Sequence, residues 1–439
     1  MFKETSKELL DFLSKSPTAF HAVENYRQIL NADGFKELLE SEHWDIVPGG
    51  KYYVTRNNTS ILAFKVGTKL NNYSFNIVTS HTDSPTFKVK ENAEIEVKNK
   101  YTQLNTEGYG GMLCATWLDR PLSIAGRVLV SEGNSIVTKL LNIDRDLLMI
   151  PNVAIHMNRA ANDGFKYNLQ VDMLPLLSAG DDRQKDFKQI LADELGVNKE
   201  DILGHDLYLY NRMAPSIWGA NEEFISAGHL DDLQCGFASL KALLAGYNDE
   251  SIDIMACFDN EEVGSGTKQG ADSTLLRDTL TRINSALGKT EEDYHRALAS
   301  SFMLSSDNAH AVHPNHPEHT DATNCTYMNE GVVVKSHAGQ KYTSDGVSMA
   351  VVKALASGAD VPLQYFANRS DKAGGSTLGN IAMAQASMNA VDIGLPQLAM
   401  HSSYETAGIK DTYYAISLMK ALFDSHIQET STHSLEIKR

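Results

Sequence analysis

The sequence predicts an α/β protein with a sheet-based part and a β-rich domain inserted into it. Apolar, strand-like runs recur and end in acidic residues or histidine, and a run with helical spacing spans residues 233–247. Between these features, a long central stretch alternates β-like runs with turn residues. At 439 residues the chain exceeds the usual size of one compact domain, so two domains are expected.

The first elements are helices between residues 7 and 39. A hairpin is expected next, with its turn at Asn57-Asn58 and its strands at residues 52–55 and 61–66. The insert is predicted over residues 91–224, where β-like runs recur without candidate metal ligands. The catalytic domain is therefore predicted to be discontinuous, comprising residues 1–90 and 225–439. The glycine-rich segment 108–111 lacks the lysine and hydroxyl pattern of a phosphate loop and is interpreted as a turn in the insert.

Four apolar runs end at residue types that bind divalent metals. These are residues 73–80 before His81, residues 252–258 before Asp259, residues 302–304 before the segment 305–310, and residues 395–400 before His401. Ligands gather outside the carboxyl ends of the strands in an open α/β sheet, so the four places are expected to converge.

Two pairs of adjacent carboxylates carry the chemical prediction. In Glu261-Glu262 one side chain can ligate a cation while its neighbour takes a proton from metal-bound water, although a solvated acidic loop is the alternative. Asp231-Asp232 precedes the helical run and fits either helix capping or a carboxylate shared by two cations.

Composition excludes several function classes. With 39 basic and 56 acidic residues the net charge is −17, which argues against nucleic acid or an anionic membrane as a partner. The four cysteines are widely separated and signal neither a zinc knuckle nor a disulfide framework. The N-terminus lacks the features of an export signal and no apolar run approaches about 20 residues, so a cytoplasmic location is expected.

Several motifs in a fixed order resemble one known family. They are HTDSP at 81–85, Leu230-Asp231, DNEEVGS at 259–265, the segment 306–315, Met400-His401-Ser402, and residues 16–23, which are similar to the family's opening helix. Together they resemble the M18 metallo-aminopeptidases, the aspartyl aminopeptidase group, over nearly the whole chain. The resemblance implies a zinc-exopeptidase-like domain with a mixed sheet flanked by helices. It also implies an inserted β-rich domain that builds dimers, which assemble into a tetrahedral dodecamer.

The resemblance also implies a metal site with two divalent ions per subunit. The implied ligands are His81, Asp231, Glu262, Asp307 and His401, with Asp231 bridging. Glu261 matches the general base. Two histidines and three carboxylates without a thiolate suit Zn²⁺ and also admit Co²⁺ or Mn²⁺.

Other site residues are predicted, each with an alternative. Asp83 is expected to accept the second ring N–H of His81, or to form a turn before Pro85. His156 resembles a histidine that reaches a neighbouring subunit's site and stabilises the oxyanion, although sequence alone favours a satisfied histidine beside an apolar run. Lys335 matches a lysine that meets an acidic substrate side chain, but a lysine after a strand is often solvated.

His310 and His313 are near Asp307 in sequence and are expected to orient a ligand or contact substrate, or else to be polar and exposed. The leading hypothesis is an aminopeptidase that removes N-terminal Asp or Glu from peptides with a free N-terminus, through attack of a metal-bridging hydroxide. A neutral or basic preference is the close alternative. A non-catalytic metal-binding scaffold is the third hypothesis, and Glu261 argues against it because metal retention alone does not need a base there.

Overall fold

The structure is a computed structural model that describes residues 1–180 and 186–439. Its helices are α1 (Phe2–Ser14), α2 (Ala19–Ala32), α3 (Phe187–Leu195), α4 (Leu230–Ala245), α5 (Leu275–Ala286), α6 (Glu291–Ala299), α7 (Gly346–Gly358), α8 (Leu378–Gln385) and α9 (Asp411–Phe423). Its strands up to residue 211 are β1 (Lys36–Glu37), β2 (Lys51–Arg56), β3 (Ser60–Val66), β4 (Ser74–His81), β5 (Thr86–Val97), β6 (Tyr101–Tyr109), β7 (Leu122–Glu132), β8 (Ser135–Asn142), β9 (Leu176–Ala179) and β10 (Ile202–Asn211). The later strands are β11 (Ser216–Trp218), β12 (Phe224–Ala227), β13 (Ser251–Phe258), β14 (Phe302–Ser306), β15 (Ala309–His310), β16 (Val332–Lys335), β17 (Leu363–Phe366), β18 (Asn389–Gly394), β19 (Pro396–Leu398), β20 (Glu405–Gly408), β21 (His426–Ser431) and β22 (Ser434–Lys438).

A nine-stranded mixed sheet forms the centre of the protein, in the order β1-β2-β3-β13-β4-β14-β18-β16-β17. Four adjacent strands, β13, β4, β14 and β18, run parallel to one another. Every residue of β4 and β13 is buried, as expected for strands covered on both faces. The carboxyl ends of these four strands consequently lie along one edge of the sheet.

Helices cover both faces of this sheet. On one face, α1, α2, α4, α7 and α9 pack against side chains that include Val78 and Met255. On the other face, α5, α6 and α8 pack against Phe75, Ile77 and Ile254. The alternation of Ile77 and Val78 between the two layers follows from the two-residue period of a strand. The predicted α/β fold, with a mixed sheet flanked by helices and a further β-rich part, is confirmed.

A six-stranded antiparallel sheet, ordered β8-β7-β10-β5-β6-β9, is built from residues 86–211 and has its own apolar core with α3. The predicted insert boundary at residue 91 falls within β5. Strands β11 and β12 belong to a third sheet, ordered β11-β12-β20-β19-β15, together with strands from the end of the chain. The division of the chain into two domains stays a prediction.

Two sequence expectations have clear outcomes. The hairpin is confirmed, because β2 pairs antiparallel with β3, and Asn57 and Asn58, which both have a φ of 59°, lie in the three-residue loop between Arg56 and Ser60. The run 395–400 is different from the other three strand-end runs. It contains β19, which belongs to the five-stranded sheet, whereas the central-sheet strand in this region is β18, which ends at Gly394. His401 therefore reaches the site from outside the central sheet.

No helix among the residues described is long and apolar enough to cross a membrane.

Candidate active site and metal centre

Three of the predicted site segments meet at the carboxyl edge of the central sheet. His81 is the last residue of β4, and it lies opposite Phe258, the last residue of β13. The chain then turns through a short 3₁₀-helix, Glu261–Val263, which carries the adjacent glutamates. Asp307 directly follows β14, the neighbour of β4 on its other side. The parallel strands thus bring distant parts of the sequence to one place.

Asp231 lies between two histidines. One carboxylate oxygen, Oδ1, is 3.6 Å from Nε2 of His81, and the other, Oδ2, is 3.4 Å from Nε2 of His401. Asp231 and Asp232 depart from helical dihedral angles at the start of α4, and the N-cap of this helix has no side-chain hydrogen bond. The Asp231 side chain consequently points at the histidines and does not cap the helix.

The predicted ligands form overlapping clusters of donor atoms. In each cluster the atoms lie within 4.8 Å of one another, and the clusters are His81 with Asp231 and Asp307, Asp231 with Glu262 and His401, and His81 with Glu261 and Glu262. Asp231 belongs to two clusters and offers a different oxygen to each histidine. This is the arrangement that a carboxylate shared by two cations requires.

The donor set fits a bound metal. Within residues 1–180 and 186–439, neither Oδ1 of Asp231 nor Oε1 of Glu262 has a hydrogen-bond partner, although both atoms are buried. A buried carboxylate oxygen without a partner costs free energy, and a coordinated cation removes this cost. Imidazole and carboxylate donors without a thiolate suit Zn²⁺.

The electrostatics of the site also favour a cation. Burial raises the pKa of Glu261 to about 8 and that of Glu262 to about 7, with nearby carboxylates adding to both shifts. Burial acts to lower the pKa of His401, but the nearby carboxylates of Asp231 and Glu262 outweigh it and raise this pKa to about 11. The site therefore holds more negative charge than its own cationic groups neutralise, and this excess favours a bound cation.

Asp83 organises this centre from one side. Its Oδ1 accepts the backbone N–H of Glu261 and its Oδ2 that of Glu262, each at 3.1 Å. The Nδ1 atom of His81 is 3.0 Å from the main-chain oxygen of Asp83 and 3.4 Å from its Oδ1. The sequence predicted the carboxylate as the partner of the ring, whereas the closer acceptor is the carbonyl. The carboxylate is engaged instead in holding the Glu261-Glu262 turn.

The six-stranded sheet supplies two further contacts. The hydroxyl of Tyr109, at the end of β6, donates to Oδ2 of Asp83 at 2.7 Å and accepts from Nδ2 of Asn260 at 2.7 Å. The main-chain oxygen of Gly111 lies 2.7 Å from Nδ1 of His401. The glycine-rich segment, interpreted from sequence as a turn, thus positions two parts of the site.

Glu405 is a site residue that the sequence did not reveal. It is buried in β20, where Oε2 accepts the N–H of Asp231 at 3.0 Å and Oε1 accepts the N–H of His401 at 2.7 Å. One carboxylate therefore fixes the backbone of two candidate ligands. No motif marks this residue, because it lies four residues after His401 in an otherwise ordinary polar segment.

The other predicted residues lie in different settings. Lys335 is buried at the end of β16, where Nζ donates to the main-chain oxygen of Asn308 at 2.8 Å and lies 3.7 Å from Oδ1 of Asp307. The alternative of a solvated lysine is therefore wrong. His310 and His313 are exposed beyond β14, and His156 is exposed in the segment between β8 and β9, outside the donor clusters.

Comparison with known proteins gives the family. A family model described as aminopeptidase I zinc metalloprotease (M18) matches residues 12–423. The chain belongs to the M18 family. The chain is accordingly a metal-dependent aminopeptidase, a hydrolase of peptide bonds. A probable M18 family aminopeptidase 2 of Clostridium novyi is 48% identical over 425 residues, which cover 95% of this chain and 98% of the relative.

Solved structures agree with this M18 assignment. The cryo-EM structure of the Ape4 and Nbr1 complex matches with a TM-score of 0.93 and 35% identity, covering 96% of this chain and 86% of that one. The structure of the S. cerevisiae mApe1 dodecamer matches with a TM-score of 0.84 and 28% identity, covering 96% and 97% of the two chains.

We predict that Glu405→Gln weakens zinc binding by about 10- to 100-fold, because a carboxamide presents one acceptor oxygen where two backbone N–H groups need one each. Competition with a chelator of known affinity measures this change. The exposed Glu42→Gln is the matched control and should bind zinc as the unmodified chain does. Equal affinity of both variants would contradict the role assigned to Glu405.

Proposed function

We propose that the chain is a dinuclear aminopeptidase with Glu261 as its general base and a preference for N-terminal Asp or Glu. His81, Asp231 and Asp307 would hold one ion, and Asp231, Glu262 and His401 the other, because the donor atoms of each set lie within 4.8 Å of one another. The observation that carries the proposal is the position of Asp231, whose two oxygens face two different histidines. Zn²⁺ is the proposed metal, with Co²⁺ or Mn²⁺ as alternatives that the same donors accept.

The proposed chemistry divides between the ions and the chain. The bound ions would supply polarisation of the scissile carbonyl and acidification of the attacking water. Glu261 accepts a proton from that water at its carboxylate and returns it to the leaving amine nitrogen. Its place in this scheme is supported by its absence from both clusters that contain Asp231 and by its backbone hydrogen bond to Asp83.

The acidic preference rests on Lys335. A buried ammonium group would pair with the side chain of an N-terminal Asp or Glu, and a neutral side chain would leave it without that partner. His310 and His313 are proposed to contact substrate from the adjacent segment. One observation favours the alternative of a neutral or basic preference: Lys335 already contacts Asp307 and the carbonyl of Asn308.

We further propose that the chain acts as a homo-oligomer of dimers, up to a dodecamer, in which His156 of one subunit stabilises the oxyanion in its neighbour's site. The proposal is supported by the similarity to the mApe1 dodecamer. It is also supported by Val153, Ile155 and Met157, apolar side chains that flank His156 and are 55%, 45% and 85% exposed in the single chain. A cytoplasmic location is proposed, in keeping with four cysteines that are all free.

The general base can be tested by Glu261→Gln. We expect this variant to keep its fold and its zinc content and to lose about 10²- to 10⁴-fold in kcat, because the carboxamide cannot accept the proton. Steady-state kinetics with metal analysis of the same sample measures both properties. Glu42→Gln again serves as the control. Unchanged turnover of Glu261→Gln would contradict the role of Glu261 as general base.

Substrate preference can be tested with matched peptides that begin with Asp, Glu, Leu, Lys or Ala, each with a free or acetylated amine. We expect kcat/KM to be highest for free-amine Asp and Glu, and Lys335→Met to reduce the ratio of Asp to Leu by about 10- to 100-fold, which is the value of a charge-assisted hydrogen bond. A preference for Leu or Lys would contradict the recognition of an acidic side chain by Lys335. Cleavage of acetylated peptides would contradict the requirement for a free amine.

The role of His156 can be tested by mixing subunits. We expect His156→Ala to assemble normally, as measured by light scattering, and to lose activity. Because the histidine would act on the neighbouring site, mixed oligomers of His156→Ala and Glu261→Gln should recover activity that neither variant has alone. A fully active monomer, or the absence of recovery in mixed oligomers, would exclude the shared site.

A further inference from the structure

A row of evenly spaced histidines begins three residues after Asp307. Of the 15 histidines in the chain, four occur within ten residues, at positions 310, 313, 316 and 319. The constant spacing of three residues matches the period of a 3₁₀-helix, in which side chains at i and i+3 lie on the same side. The spacing alone predicts that consecutive members of this row face one another.

The backbone of this segment follows that period. The N–H of His316 donates to the main-chain oxygen of His313 at 3.0 Å, and the N–H of His319 donates to that of His316 at 3.2 Å. Residues Pro317–His319 form a 3₁₀-helix with proline in its first turn. The rings of His316 and His319 are consequently stacked, with their centroids 5.4 Å apart.

Glu318 lies between these two rings. Its Oε1 is 3.1 Å from Nδ1 of His316 and 3.9 Å from Nε2 of His319, so three donor atoms converge within 4.8 Å. All three side chains are exposed and open to ions from solvent. Over the residues described, this is the candidate ligand cluster that shares no residue with the active site.

We propose that His316, Glu318 and His319 form a second, peripheral site for a divalent transition metal ion such as Zn²⁺. Two imidazole nitrogens and one carboxylate oxygen suit Zn²⁺ and its neighbours in the first transition row, whereas Mg²⁺ and Ca²⁺ select oxygen donors. Three protein ligands leave the remaining positions to water, so the ion exchanges with solvent. This site is independent of the proposed catalytic ions.

The local structure holds these ligands in place. Pro317 restricts the backbone at the first position of the helix, and the guanidinium of Arg369 donates to the main-chain oxygen of Glu318. His313 lies outside this cluster, and its Nδ1 accepts the N–H of Asn315 at 3.2 Å. A preformed cluster loses less conformational entropy when it binds an ion.

The position of the cluster gives a bound ion an electrostatic consequence. His316 and His319 line a cavity of about 170 Å³ together with His310, Arg369 and Lys372. A bound ion adds positive charge to a rim on which Lys372 is cationic and Arg369 is paired with Asp371. The metal loading of this site therefore alters the charge of this cavity.

The test uses zinc-loaded enzyme from which excess zinc has been removed by gel filtration. Titration with ZnCl₂ in a calorimeter should show a saturable phase of about one further ion per subunit, and MgCl₂ should show none. His316→Ala and His319→Ala should each weaken this phase by at least about 10-fold. The control is His295→Ala, since His295 is an exposed histidine whose Nε2 lies 3.9 Å from a single glutamate, Glu291.

A second readout locates the ion. Zinc should protect His316 and His319, but not His295, from modification by diethyl pyrocarbonate, as mapped by mass spectrometry. The peptidase activity of each variant reports that it is folded, since none of the three histidines belongs to the catalytic centre. Absence of the further phase, an equal phase in His316→Ala and the control, or an equal response to Mg²⁺ would each overturn the proposal.

Discussion

The shared position of the Asp231 carboxylate is the constraint on which the rest of the site depends. Its side chain is 3% exposed, and burial acts to raise its pKa, but the nearby imidazoles of His401 and His81 keep that pKa well below its ordinary value. Removing one partner of a buried pair of this kind typically costs about 3–5 kcal/mol. His81 ends a strand of the central sheet, and His401 lies in the turn between β19 and β20 of the five-stranded sheet, so the charge of one aspartate ties the two parts together at the catalytic edge.

A second layer of contacts fixes the backbone around this carboxylate. Glu405 accepts the N–H groups of Asp231 and His401, and Asp83 accepts those of Glu261 and Glu262. Each of these buried acids therefore positions two residues of the site through main-chain hydrogen bonds. Tyr109, at the end of β6, donates a hydrogen bond to Asp83. The six-stranded sheet therefore helps to position the site.

Much of this arrangement could be predicted from the sequence. The strands that end at His81, Phe258 and Ser306 are apolar runs followed by metal-binding residue types, and parallel strands necessarily present such residues along one edge. Glu405 and Tyr109 could not be predicted in this way, because their contacts depend on how separate sheets pack. His401 was recognised as a candidate, but the strand that leads to it was assigned to the wrong sheet, since β18 and β19 are separated by a single residue.

Lys335 shows why a buried charge near a metal centre is difficult to assign from sequence. Burial acts to lower the pKa of Lys335, but Asp307, Tyr342, Asp392 and Asp231 together outweigh it and raise this pKa, so the lysine remains charged. Asp307 also belongs to the donor cluster with His81 and Asp231, and it therefore faces the lysine and a metal position at once. Loss of Lys335 would therefore change both the charge around the metal ligands and the substrate pocket. The ratio of kcat/KM for acidic and neutral substrates separates these two effects, because a change at the metal ligands alters kcat/KM for both substrates alike.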